Sequence, residues 1–210
     1  MSRVRYSRRD LLEQCAVFGA LVMLPAFDVA SVSAFWEQTE TRKPTPPNVI
    51  GPFYKKHAPN ARTLRVQGDA GMPLTVKGAV IDTRGEAVSD ATVEIWHADH
   101  GGHYDLAGYR FRARLPVDAK GGYQFETVMP GHYPDRVCQH VHYLVTAPGH
   151  KPLITQLYFA TDPAFEGDPD KNFSKDPVIQ SRELVRPVTI AGDPQAMYAA
   201  VSFELCLDRR

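Results

Sequence analysis

Seven short apolar runs, at residues 74–81, 91–97, 123–128, 140–146, 153–159, 184–190 and 199–207, are rich in β-branched and aromatic side chains. Such residues suit a pleated, half-buried surface. Turn chemistry separates the runs: Asp82-Thr-Arg-Gly85, Ala119-Lys-Gly-Gly122, Pro130-Gly131 and Ala147-Pro-Gly149. No stretch between them carries the 3.6-residue apolar period of a long helix. That argues against βαβ units, whose crossovers need one. The expectation is therefore an all-β fold, a single β-sandwich domain over residues 61–210. Residues 167–176, rich in Asp, Pro and Lys, read as a solvated loop.

The chain ahead of the sandwich divides in two. Residues 1–34 open with four arginines in the first ten positions, including the pair Arg8-Arg9. An interrupted apolar stretch and the small residues Val32-Ser33-Ala34 follow. This is the layout of a cleavable secretory signal of the twin-arginine type, with cleavage expected after Ala34. The apolar stretch is too short and broken to serve comfortably as a membrane span. The protein is thus expected to be exported, periplasmic or secreted, without stable membrane association once cleaved. Twin-arginine clients cross already folded, which suits a protein that acquires a metal beforehand. Residues 35–60 read as an extended arm, with five prolines between Pro44 and Pro59.

The chain balances 24 Lys and Arg against 24 Asp and Glu. A near-neutral surface offers nothing for nucleic acid or anionic lipid, so a small molecule is the expected partner. Exposed strand edges leave room for self-association as a homo-oligomer. Cys138 and Cys206 both lie in apolar, strand-like surroundings and are expected as buried free thiols rather than a disulfide.

The run Cys-Gln-His-Val-His-Tyr-Leu-Val at 138–145 holds His140 and His142 two residues apart. On a strand they project side by side, while Val141 and Tyr143 face the other way. The pair is either the polar face of a sheet or half of a metal site. His97, His100, His103 and His132 offer further donors for a zinc or copper site, but without tight spacing among themselves. Tyr104 and Tyr133 follow glycine turns at strand ends, where functional side chains are commonly held. A phenol, with a free pKa near 10, binds zinc poorly at neutral pH. A hard trivalent ion can displace its proton, so two tyrosines and two histidines together suit ferric iron.

Several segments in register resemble the intradiol ring-cleavage dioxygenases, the family of the catechol, hydroxyquinol and protocatechuate enzymes. They are Gly51-Pro-Phe-Tyr54, the stretch from Gly78 to Asp99, Gly101-Gly-His-Tyr104, Gly122 to Tyr133, His140-Val-His142 and Leu153-Ile-Thr-Gln156. The resemblance implies a β-sandwich with one Fe(3+) per chain at its edge and O2 as co-substrate. It implies Tyr104, Tyr133, His140 and His142 as the metal ligands. Tyr133, Arg136 and Gln156 would be catalytic, and Gly51 and Pro52 would line the substrate pocket. Arg136 stands four residues before His140, where the family pattern Arg-Pro-Ala-His has three. The implied activity is O2-dependent cleavage of a small aromatic diol between its two hydroxyl-bearing carbons, giving a muconate-type diacid. The strand-turn-strand pattern of residues 76–93 also occurs in non-catalytic transthyretin-like and adhesion-type sandwiches, which need neither the tyrosines nor the His-x-His pair.

Overall fold

The structure is a computed structural model that describes residues 41–134 and 136–210. The signal-peptide reading of residues 1–34 lies outside these residues, as does the start of the arm. Ten strands follow in chain order: β1 (Pro73–Asp82), β2 (Thr92–Trp96), β3 (Arg112–Pro116), β4 (Gly122–Val128), β5 (His140–Thr146), β6 (Leu153–Phe159), β7 (Val185–Arg186), β8 (Val188–Ala191), β9 (Tyr198–Ser202) and β10 (Leu205–Leu207). They form two five-stranded sheets. In the first, β1 is central: β4 pairs antiparallel along one edge, β9 and then β10 pair parallel along the other, and β8 continues beyond β9. The second runs β3-β2-β5-β6-β7, antiparallel except at its last pair.

Alternation explains why the sheets face each other. Val76 and Val80 of β1, Phe125 of β4 and Val201 of β9 meet Val93 and Ile95 of β2, Leu115 of β3, Val141 and Tyr143 of β5 and Leu157 of β6 in one buried cluster. Each such aliphatic or aromatic side chain contributes roughly 1.5–3 kcal/mol by leaving water. Among the described residues no helix is long and apolar enough to cross a membrane.

Three sequence expectations need correcting. Strand β3 was not among the runs read as strands, because arginines at 110, 112 and 114 mask the alternation of Phe111, Ala113 and Leu115. The run 184–190 is two strands broken at Pro187, which has no N–H for a ladder, and the run 199–207 is likewise divided into β9 and β10. Residues 167–176 are not merely a solvated loop. They contain a helical turn, Pro169–Asn172, capped by the Asp168 side chain on Lys171 N–H, and a 3-10 turn, Phe173–Lys175. They end on Asp176, which is buried.

The arm from residue 41 to 59 has neither helix nor strand and is tied along β6. Asn48 N donates to Ile154 O at 2.8 Å, Thr155 Oγ1 to Pro46 O at 2.7 Å and Gln156 Nε2 to Val49 O at 2.7 Å. Cys138 and Cys206 are buried and free, as read from their surroundings.

Candidate metal centre and substrate cavity

Strand register assembles the floor of the site. Arg112, Trp96, His142 and Gln156 are successive cross-strand partners on β3, β2, β5 and β6, and His140 pairs with Tyr158 in the neighbouring row. Cross-strand partners share a face, so these side chains stand together on the side of the sheet away from the core. That face is not solvated: His140 and His142 are both buried, as are Val141 and Tyr143 on the other face. The Trp96 ring stacks on His142 with centroids 5.0 Å apart and an interplanar angle of 3°.

Two loops bring the tyrosines over this floor. Gly131 N donates to Asp99 O at 2.7 Å, clamping the loop of Tyr133 to the loop of Tyr104. Backbone approaches backbone so closely here that a Cβ on Gly102 would lie 1.9 Å from the His132 carbonyl oxygen. Tyr104 and Tyr133 are then edge-to-face at 5.5 Å, Tyr133 and His140 lie 5.4 Å apart, and His140 and His142 lie 4.8 Å apart, by ring centroid. All four residues singled out as metal ligands thus converge.

The arm supplies the remaining walls. Gly51 adopts φ 69°, and a Cβ there would meet His142 Cε1 at 2.9 Å, so only glycine can lie over that imidazole. Phe53 stacks on Tyr104 at 4.1 Å. Arg112 ties arm to loop, donating from Nη2 to Phe53 O at 3.0 Å and from Nη1 to Asp105 O at 2.7 Å. Val49, Gly51, Pro52, Phe53, Tyr104 and Tyr133 border an open cavity of about 550 Å³, with Arg136, Leu106 and Val178 also on its wall.

The hydrogen bonds assign the protons. His140 Nδ1 donates to Cys138 O at 2.8 Å, leaving its Nε2 lone pair facing the tyrosines. That lone pair accepts from Tyr133 OH at 3.1 Å and Arg136 Nη1 at 3.2 Å. Among the described residues neither His142 nitrogen has a partner in hydrogen-bond geometry; the nearby Val49 carbonyl accepts from Gln156 instead. The Tyr104 hydroxyl is likewise buried and without a partner among the described residues. Buried polar atoms without partners are costly, and several facing one point mark a place where something binds. Burial, reinforced by the Arg136 charge, lowers His140 to about 3. Burial, then His140 and Arg136, lowers His142 well below the usual histidine range. Both imidazoles are therefore neutral ligands at neutral pH. Burial raises both phenols, and the neighbouring Tyr133 adds to the effect on Tyr104. Only a strongly charged ion would remove their protons, so this donor set fits ferric iron.

Arg136 reaches the site despite its four-residue spacing. Its Nη2 donates to Gln156 Oε1 at 2.9 Å and to Tyr158 OH at 2.8 Å, and it lies 3.6 Å from the Asp176 carboxylate. Between Arg136 and His140, Cys138 is buried in the core cluster while its N–H donates to Asp176 at 3.2 Å. Tyr158, Asp176, Arg112, Phe53 and Trp96 were not among the sequence candidates. Tyr158 was legible as the residue two beyond Gln156 on one strand face, whereas the burial of Asp176 had no local signal.

The other histidines do not join the site. His97 is buried between Ala98 O at 2.6 Å and Thr127 Oγ1 at 2.8 Å, His132 lies 3.1 Å from the Asp162 carboxylate, and His100 and His103 are exposed. Among the described residues no three His, Cys, Asp or Glu side chains are grouped to hold a metal ion, which leaves a polyhistidine zinc or copper site without its donors.

The comparisons agree with this geometry. The family model described as Dioxygenase matches residues 49–209. The chain is 32% identical over 163 residues to the hydroxyquinol 1,2-dioxygenase of Nocardioides simplex, covering 66% of this chain and 55% of that one. It is 30% identical over 194 residues to the catechol 1,2-dioxygenase of Acinetobacter baylyi, covering 79% and 62%. The chain thus spans little more than half the length of these relatives. Among solved structures, the dioxygenase domain of a dioxygenase–carbohydrate-binding protein fusion from Streptomyces sp. SirexAA-E superposes with a TM-score of 0.67 at 32% identity, covering 80% of this chain and 100% of that one. The 3-chlorocatechol 1,2-dioxygenase of Rhodococcus opacus 1CP gives 0.68 at 22% identity, covering 88% and 79%, which speaks for the fold alone. Because the family match runs from the glycine over His142 to the last strand, through both tyrosine loops, the chain belongs to the intradiol ring-cleavage dioxygenase family.

Proposed function

We propose that the protein cleaves a catechol-type aromatic diol between its two hydroxyl-bearing carbons, using O2 and one ferric ion held by Tyr104, Tyr133, His140 and His142. The observation that carries this reading is the convergence of two phenols and two neutral imidazoles, several of their polar atoms buried without partners among the described residues, with both tyrosines on the wall of a cavity. Both oxygen atoms enter the product diacid, so the reaction balances without an external reductant. When bound, ferric iron would supply Lewis acidity toward both diol oxygens and couple the ring to O2.

The chain's own groups divide the remaining work. Tyr133 lies between His140 Nε2 and the cavity, and as the phenolate it would become on holding ferric iron it is placed to take a proton from the entering diol and return to the neutral phenol. Arg136 presents a guanidinium held by Gln156, Tyr158 and Asp176, so negative charge developing on the ring meets a cation already oriented. Gly51 and Pro52 shape the wall beside His142, and Phe53 restrains Tyr104. Residues 1–34 support export by the twin-arginine route as part of the same proposal, tested by whether the mature protein begins after Ala34.

The decisive experiment is the visible spectrum of iron-loaded protein. Tyrosinate bound to ferric iron absorbs broadly in the visible, whereas zinc proteins and metal-free sandwiches are colourless. Tyr104→Phe and Tyr133→Phe are each expected to shift or weaken the band, and His140→Ala to lose iron. Iron-replete protein without visible absorbance, or without oxygen uptake on catechols, would refute the reading.

A further inference from the structure

The mouth of the cavity is built to hold apolar side chains in water. Leu106, on the cavity wall, is 73% exposed, and Val49, also on the wall, is 48% exposed. Exposed leucines on loops are common and by themselves mean little. This one sits on a loop tied from several sides. Lys55 Nζ donates to the carbonyls of Leu106, Ala107 and Gly108 at 3.2, 3.1 and 2.9 Å. Asp105 Oδ1 accepts from Ala107 N at 3.1 Å and Gly108 N at 2.7 Å, and Asp105 Oδ2 accepts from Arg110 N at 2.8 Å. Arg112 holds the Asp105 carbonyl from below. A loop restrained this heavily presents Leu106 in one place, and the side chain it presents is apolar.

Charge points the same way. Among the described residues on the cavity wall, the cationic candidates are Arg136 and His103. Arg136 is committed to Gln156, Tyr158 and Asp176, and the His103 side chain is 83% exposed beside Asp99. Lys55 and Arg112 are spent on backbone carbonyls. Among the described residues of the wall, a carboxylate on the substrate ring would meet only cations that already face a carboxylate, Arg136 against Asp176 and His103 against Asp99, and it would lie against the apolar Leu106 and Val49. The cavity of about 550 Å³ also falls in the range that encloses drug-sized ligands, larger than one unsubstituted ring requires.

We infer that the site selects catechols carrying a neutral, apolar substituent, which packs on Leu106 and Val49, and discriminates against ring carboxylates. The inference rests on the diol-cleaving reading above and narrows its substrate class.

Two experiments test it. In oxygen uptake, kcat/KM for 4-hexylcatechol is expected to exceed that for catechol by roughly tenfold, with 3,4-dihydroxybenzoate below both. Leu106→Asp is expected to bring the ratio of hexylcatechol to catechol down to about one. Independently of turnover, calorimetry with the non-chelating pair 4-hexylphenol and 4-hydroxybenzoate is expected to show tighter binding of the hexylphenol. Its heat-capacity change should be negative and smaller in Leu106→Asp. Cleavage of catechol with 3,4-dihydroxybenzoate preferred, or with no gain from the alkyl chain, would overturn the inference while leaving diol cleavage standing. Failure to cleave any diol with iron bound would overturn the underlying reading instead. Hexylphenol binding no tighter than hydroxybenzoate would then overturn the apolar lip as well.

Discussion

At the scale of single residues, the site depends on what is missing as much as on what is present. Gly51 lies over His142 with a left-handed backbone, and a methyl group there would press on the imidazole at 2.9 Å. Gly51→Ala is expected to tilt His142 away from the tyrosines and cut iron occupancy severalfold. The backbone strain would cost about 1–3 kcal/mol of stability. Iron content per chain and the denaturant midpoint measure the two effects separately. Retained iron with an unaltered visible band would contradict this account. The four donors and Gly51 were named from the resemblance of the segments that carry them to the family's own. The partners that orient them were not: Cys138 O fixes the His140 tautomer, and Asp176 reaches Arg136 from a segment that reads as surface.

At the scale of elements, register and loop contact do the positioning. The row Arg112–Trp96–His142–Gln156 exists because β3, β2, β5 and β6 pair in one register, and a slip of one residue would turn every member to the other face. The two tyrosine loops meet through glycine backbone, where any side chain on Gly102 would strike the His132 carbonyl. Gly102→Ala should therefore separate the loops, destabilising the fold on the order of 3 kcal/mol and weakening the tyrosinate band. Thermal unfolding and the spectrum read the two consequences. A stable variant with full colour would show that the contact is dispensable. Alternating apolar residues made most strands readable in advance. Strand β3 escaped because its outward positions carry arginines, one of which, Arg112, is buried through contacts with distant segments.

At the scale of the whole molecule, burial of neutral histidines couples folding to pH. An unfolded histidine takes its proton near pH 6.5, whereas in the metal-free fold burial keeps His97 neutral to about 4 and His140 to about 3. Between those limits the unfolded chain binds more protons. Stability is therefore complete above pH 6.5 and declines as the pH falls, by about 1.4 kcal/mol per pH unit for each histidine at the steepest. Urea midpoints at pH 7, 6 and 5 should fall in that order. A midpoint that did not move would mean that these side chains take protons without cost. Alternation along the chain was enough to specify a sandwich, because it is a property of local pattern, whereas Tyr104, Tyr133, His140 and His142 suit ferric iron by side-chain chemistry and were named as one ligand set through the resemblance of the segments that carry them. The placement of Arg136, the burial of Asp176, and the tethered lip at Leu106 arise from contacts between segments far apart in the chain. Such contacts leave no periodicity to read, so they become visible only once the chain has folded.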